Sequence, residues 1–193
     1  MRDDAQRSDE TQERRGVDRV VVTAAAAALL RRLSEQHGPL MFHQSGGCCD
    51  GSSPMCYPQG DFVVGDRDVL LGVLDIESGL EPGIEPDVEN DADGGVPVWI
   101  SGPQFQAWKH TQLVIDVVPG RGGGFSLEVP EGVRFLSRGR AFRDTEVAAL
   151  ATAPVITGAD YARGERPAAR SPVVAEAGDV CRVPAGHAAR AAR

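Results

Sequence analysis

The chain has 193 residues and a formal net charge of −8 at pH 7. That charge argues against nucleic acid, whose phosphates need a basic face, and against an anionic membrane surface. No apolar run approaches the ~20 residues that span a bilayer, and the opening Met1–Glu10 has no apolar stretch of the secretory kind; the expectation is a cytoplasmic protein with no membrane and no nucleic-acid partner, its cysteines reduced or metal-bound.

Residues 1–18 are rich in Asp, Glu and Arg and read as a disordered arm. A single globular domain is expected over 19–155, with a second disordered stretch over 156–193, where Ala, Arg, Pro and Gly dominate. Within the domain, Val20–Val22 suits a short strand. Thr23 is placed to cap a helix over Ala24–Gln36, with Leu29, Leu30 and Leu33 on its apolar face and Gly38-Pro39 to end it. Leu40–His43, Phe62–Val64, Val69–Leu74 and Val96–Ile100 read as strands. The stretch 76–95 carries Glu, Asp, Pro and Gly and little that could fill a core, so it reads as an acidic surface loop.

Gln104–His110 reads as a short helical or turn segment ahead of a strong strand over Gln112–Val118. Pro119–Gly124 is a glycine-rich turn. It lacks the Gly-Lys-Ser/Thr ending of a phosphate-binding loop and no long helix follows, so a structural turn is the main reading and Arg121 as an anion contact the minor one. Phe125–Val129 and Val133–Leu136 read as strands joined through Pro130–Gly132, and Glu146–Leu150 as a short helix. The sum is an α+β domain, mainly β, with one N-terminal helix on short strands.

The chemistry concentrates in one place. His43–Tyr57 holds three of the four cysteines, Cys48, Cys49 and Cys56, on a backbone rich in glycine. Thiolates are strong ligands for zinc, copper(I) and iron–sulfur clusters. His43 or His110 can complete a four-ligand set, and Asp50 and Ser45 sit where they can orient a ligand or carry a proton. The spacing matches no standard zinc-finger or ferredoxin pattern. Thiol redox chemistry is the rival, with Cys56 resolving an oxidised Cys48 or Cys49. Buried thiols acting as small hydrophobes are the third reading.

Two family resemblances bear on this choice. Met41–Pro58, together with the string Trp108-Lys-His-Thr-Gln-Leu-Val-Ile-Asp-Val-Val-Pro-Gly-Arg-Gly-Gly-Gly-Phe-Ser-Leu-Glu128, resembles an uncharacterised bacterial family catalogued as domain of unknown function 779. The similarity covers roughly 20–145. Members of that family are often encoded beside aldehyde or alcohol dehydrogenase genes, which implies an accessory role and such a dehydrogenase as partner. The layout of Val22-Thr-Ala-Ala-Ala, a helix, a strand, Gly46-Gly-Cys48, then Ile115-Asp116 and Gly124-Phe125 is similar to A-type iron–sulfur carriers of the HesB/IscA kind. That resemblance implies a HesB/IscA-like fold with Cys48 as a cluster ligand. The carriers' terminal Cys-Gly-Cys is absent after Phe125, so Cys49 and Cys56 would have to take its place.

The resulting expectation is a cytosolic accessory protein that binds a metal ion (Zn or Fe) or an iron–sulfur cluster through Cys48, Cys49 and Cys56 with His43 or His110. It would support an aldehyde or alcohol dehydrogenase rather than catalyse a reaction by itself. Two alternatives stay open. One is a thiol-based redox or aldehyde-adduct enzyme, with a cysteine nucleophile and His110 or Asp50 as base. The other is a non-catalytic protein that docks on a dehydrogenase.

Overall fold

Val20–Thr23 forms strand β1, and Thr23 turns the chain into helix α1, Ala24–His37. The Thr23 hydroxyl accepts the Ala26 N–H at 3.3 Å, which satisfies one of the donors a helix start leaves open. Gly38 closes the helix at a φ of 78°, a conformation that favours glycine. The computed structural model describes residues 16–45, 53–77, 95–121, 124–168 and 170–174. Cys48, Cys49 and Asp50, most of the expected N-terminal arm, residues 78–94 of the acidic loop and the end of the C-terminal stretch lie outside the described residues.

The later elements are β2 (Leu40–Gln44), β3 (Met55–Pro58), β4 (Val69–Leu74), β5 (Val96–Ile100), α2 (Gly102–Trp108), β6 (Thr111–Pro119), a 3-10 turn (Val129–Glu131), β7 (Val133–Ala141), α3 (Asp144–Thr152), β8 (Ile156–Thr157), α4 (Gly158–Ala162) and β9 (Val173–Val174). The architecture is α+β with more strand than helix among the described residues. The strands form two mixed sheets, one ordered β7-β6-β1-β9 and one ordered β3-β2-β5-β4-β8. β6 and β7 make a long antiparallel pair from Thr111↔Ala141 to Pro119↔Val133, while β1 runs parallel to both β6 and β9.

Successive side chains on a strand point to opposite faces, and the sequence uses both. Leu40 and Phe42 of β2, Cys56 of β3, Val98 and Ile100 of β5, and Leu113, Ile115 and Phe135 of the other sheet share the main core with Leu29, Leu30 and Leu33 of α1. Each fully buried leucine or phenylalanine contributes roughly 1.5–3 kcal/mol. The opposite face of the five-stranded sheet has its own apolar cluster: Met41, Leu70, Val73, Trp99 and Ile156, with Tyr57, Phe62, Val64 and Tyr161 packed against it.

Besides β3, which the sequence reading did not anticipate, three stretches differ from it. Phe62–Val64 and Phe125–Val129 are not strands. The first uses its aromatic ring to cover the outer face of the five-stranded sheet. The second is bent by Pro130 and by Gly132 at a φ of 71°, which leaves Phe125 86% exposed and turns the Glu128 side chain inward. The third is the region after 155, expected to be disordered. Here β8 extends the five-stranded sheet beside β4, and residues 171–174 stitch the two sheets together. Ser171 exchanges main-chain hydrogen bonds with Val73 and Asp75, while Val173 and Val174 pair with β1. These contacts use backbone donors and acceptors, which a scarcity of large apolar side chains does not remove.

Candidate functional site

His43 is the penultimate residue of β2 and points away from the main core, since its neighbours Phe42 and Gln44 point into the interior. Its ring is 4% exposed. Phe62 stacks on it with ring centroids 4.2 Å apart at 30°, and Tyr57 stacks on Phe62 at 5.1 Å. The aromatic pair shields the imidazole from water.

Both ring nitrogens are engaged. Nε2 lies 3.0 Å from Asp68 Oδ2, and Nδ1 lies 2.9 Å from Ser45 Oγ. A carboxylate only accepts, so Nε2 carries the hydrogen in the neutral ring and Nδ1 keeps a lone pair that accepts the Ser45 O–H. Hydroxyl, imidazole and carboxylate thus form one line, with the carboxylate end half-buried and the hydroxyl end on an exposed residue.

Asp68 is held by a turn. Its N–H donates to the Gly65 carbonyl at 2.9 Å, and its Oδ2 accepts the Gly65 N–H at 2.8 Å. The turn is backed by α4. Gly158 N–H donates to the Asp68 carbonyl at 2.8 Å and Ala159 N–H to the Asp66 carbonyl at 3.2 Å. A Cβ on Gly158 would collide with the Gly65 carbonyl, so this close approach requires glycine.

The other expected residues go elsewhere. Cys56 pairs with Phe42 across the β2–β3 hairpin and is fully buried in the main core, on the opposite face of the sheet from His43. Burial, and then the Glu128 carboxylate, push its thiol well above the ordinary range. Its N–H donates to Ser126 Oγ at 2.8 Å, and the Ser126 hydroxyl donates to Glu128 Oε2. Glu128 Oε1 takes the Phe135 N–H at 3.3 Å. His110 is exposed at the entrance to β6 in the other sheet, its carbonyl taking the Phe142 N–H at 3.0 Å. The described residues therefore bring together His43 and Ser45, and keep Cys56 and His110 apart from them. Among the described residues, no three His, Cys, Asp or Glu side chains gather where one metal ion could bind.

The sequence reading missed Asp68 and Phe62. Asp68 is 25 residues from His43, and its pattern, Gly-Asp-Arg-Asp ahead of an apolar strand, signals a turn and nothing more. The pairing exists because β2 and β4 both flank β5.

Chemically the line allows two things. Nδ1 can take a proton from an adjacent O–H or S–H group while Asp68 stabilises the imidazolium. Alternatively, once the Ser45 hydroxyl turns away, Nδ1 can ligate a metal with Asp68 fixing the ring from behind. No curated protein and no solved structure matches the chain. The family described as Domain of unknown function (DUF779) matches residues 29–141, more than half of the chain, and the chain belongs to that family.

Proposed function

We propose that the chain is a cytoplasmic accessory protein that binds a metal ion or an iron–sulfur cluster and supports an aldehyde or alcohol dehydrogenase. The observation that carries this reading is the buried His43 ring, held by Asp68 at Nε2 and facing Ser45 with Nδ1. A histidine whose second nitrogen donates to a carboxylate is the common arrangement of a protein-bound metal ligand. Ser45 opens the stretch Ser-Gly-Gly-Cys-Cys, so the imidazole stands at the start of the segment that carries Cys48 and Cys49. Two soft thiolates and one imidazole suit zinc, iron or a cluster. Cys56, enclosed in apolar packing, is left out of the proposed ligand set. The resemblance to the A-type carriers supports Cys48 as the first thiolate. The gene neighbourhood typical of the family supports the dehydrogenase as partner.

The test is metal analysis and an absorption spectrum of the full chain purified without oxygen. Stoichiometric metal is expected, lost when Cys48 and Cys49 become Ser and strongly reduced in His43→Ala. A wild-type protein that is metal-free, and whose thermal stability does not move on adding Zn(II) or Fe(II), overturns it. A pull-down with the neighbouring dehydrogenase at low salt tests the partner separately.

A second reading draws on the same pair. His43 with Asp68 can act as the base for a Cys48 or Cys49 nucleophile, the task first assigned to His110 or Asp50. It predicts a cysteine that iodoacetamide alkylates faster than a free thiol at neutral pH, with the excess rate lost in His43→Ala. Uniformly slow alkylation removes it.

A further inference from the structure

We infer that Ser45, His43 and Asp68 form a nucleophilic serine site that accepts acyl groups from activated esters: Ser45 Oγ attacks, His43 Nδ1 takes its proton, and Asp68 positions the ring. The inference goes beyond the metal reading and does not rest on it.

A serine hydroxyl is a poor nucleophile until a base within hydrogen-bond reach can take its proton as the new bond forms. Ser45 stands one residue beyond β2 and two beyond His43, and its hydroxyl turns to the same side as the ring. Oγ lies 2.9 Å from Nδ1, and Nε2 lies 3.0 Å from Asp68 Oδ2. The two ends differ as the chemistry requires. Ser45 is exposed, so an electrophile can reach Oγ. The imidazole is buried under Phe62, which keeps bulk water from the base. Asp68 is fixed by its own turn: Oδ2 also takes the Gly65 N–H, its N–H reaches the Gly65 carbonyl, and its carbonyl is held by Gly158. Its charge therefore stays in line with the ring and stabilises the imidazolium formed when Ser45 gives up its proton. Here Nδ1 faces the hydroxyl and Nε2 the carboxylate. Either ring nitrogen can serve as base when the other's hydrogen is held by an acceptor.

With an ester, the bond from Oγ to the acyl carbon forms and the bond from that carbon to the alcohol oxygen breaks. The proton passes from Oγ to Nδ1 and on to the departing oxygen. Water then attacks the acyl-serine, its proton returns through Nδ1 to Oγ, and the carboxylic acid leaves. An uncharged carbonyl suits this place better than a phosphate, because the line ends in a carboxylate and the chain carries a net charge of −8. A metal on Nδ1 would occupy the lone pair that takes the proton, so the activity belongs to the metal-free chain.

The test is labelling of the full chain, kept in a chelator, with an uncharged alkyl fluorophosphonate. The Oγ–P bond forms, fluoride leaves and the proton goes to Nδ1. Peptide mapping should place the adduct on Ser45 in the folded chain and find none there in urea. His43→Ala should lower the rate about 100–10,000-fold, the usual worth of a positioned base. Asp68→Asn keeps an acceptor but loses the charge, so the maximal rate should fall about ten-fold or more while the half-saturating probe concentration holds. Loss of shape alone would move both. p-Nitrophenyl acetate should be hydrolysed faster by wild type than by Ser45→Ala, an exposed substitution that stays informative if the other two variants fail to fold. No adduct on Ser45, or one that forms as fast in His43→Ala, overturns the site. Equal ester hydrolysis by wild type and Ser45→Ala overturns the acyl step, and an unchanged rate in Asp68→Asn overturns the role of Asp68. None of these results bears on metal binding, and a wild type that binds no metal leaves this site standing.

Discussion

Phe42 and His43 are adjacent, yet one joins the main core and the other faces Asp68. Cys56 sits opposite Phe42 and so shares its fate. A thiol there should be inert. Iodoacetamide at pH 8 should leave Cys56 unmodified in the folded chain and label it at the rate of unfolding, as peptide mapping would show; rapid labelling under native conditions would contradict the burial. Cys56→Ala should cost about 1 kcal/mol, since it removes one buried sulfur. Cys56→Ser should cost more, about 1–3 kcal/mol, by leaving a hydroxyl among apolar neighbours. The thiol also sets a pH dependence. Its value in the folded chain is raised, so its contribution is complete below the unfolded value of about 8.5 and is lost as pH rises beyond it. Urea midpoints measured from pH 7 to 10 should fall more steeply for wild type than for Cys56→Ala.

At the scale of elements, one side chain adds to the β1–β6 ladder a tie between the start of α1 and β6. The Thr23 hydroxyl accepts from Ala26 and donates to Asp116 Oδ1 at 3.0 Å. Asp116 also takes the Arg138 guanidinium at 2.8 Å and the Val117 N–H at 2.9 Å. Burial alone would raise the Asp116 carboxyl, but the donors from Arg138, Val117 and Thr23 outweigh it and hold the group below its ordinary range. Thr23→Ala should cost about 1–2 kcal/mol in urea unfolding at pH 7, because the cap and the Asp116 contact go together. The Asp116 contribution is present above the unfolded carboxyl value near 4 and is lost as pH falls below it. The stability gap between wild type and Asp116→Asn should therefore narrow between about pH 4 and pH 2.

Much at this scale was legible in the sequence. Thr23, Gly38 and the spacing of Leu29, Leu30 and Leu33 announce α1, and β4 and β5 begin and end where their apolar runs do. These signals are local. β3 was not legible, because Met55–Pro58 ends in proline and earns its place as an edge strand only by pairing with β2. Glu128 was not legible either: a glutamate reads as surface, and only the bend at Pro130 carries it to Ser126 and the Phe135 N–H. Asp68 follows the same rule, since its partner is set by strand order rather than by anything within reach along the chain.

Over the whole molecule, the region matched by the family, residues 29–141, is not a structural unit. It leaves out β1, which lies between β6 and β9, and the 171–174 segment that joins the two sheets. A chain trimmed to 29–141 should lack a cooperative thermal transition, whereas the full chain should show one by calorimetry. The site depends on the omitted part as well. Gly158 packs against the turn that holds Asp68, and Gly158→Ala should disturb the His43 resonances while leaving residues of β6 and β7 unmoved. Gly158 touches neither the imidazole nor the hydroxyl, and it lies 90 residues along the chain from Asp68. Relatives that keep His43 and Asp68 yet differ where this glycine stands could thus hold the same imidazole with a different firmness. The hold on that imidazole would then be tuned from a position that no comparison of the matched segment would bring to notice.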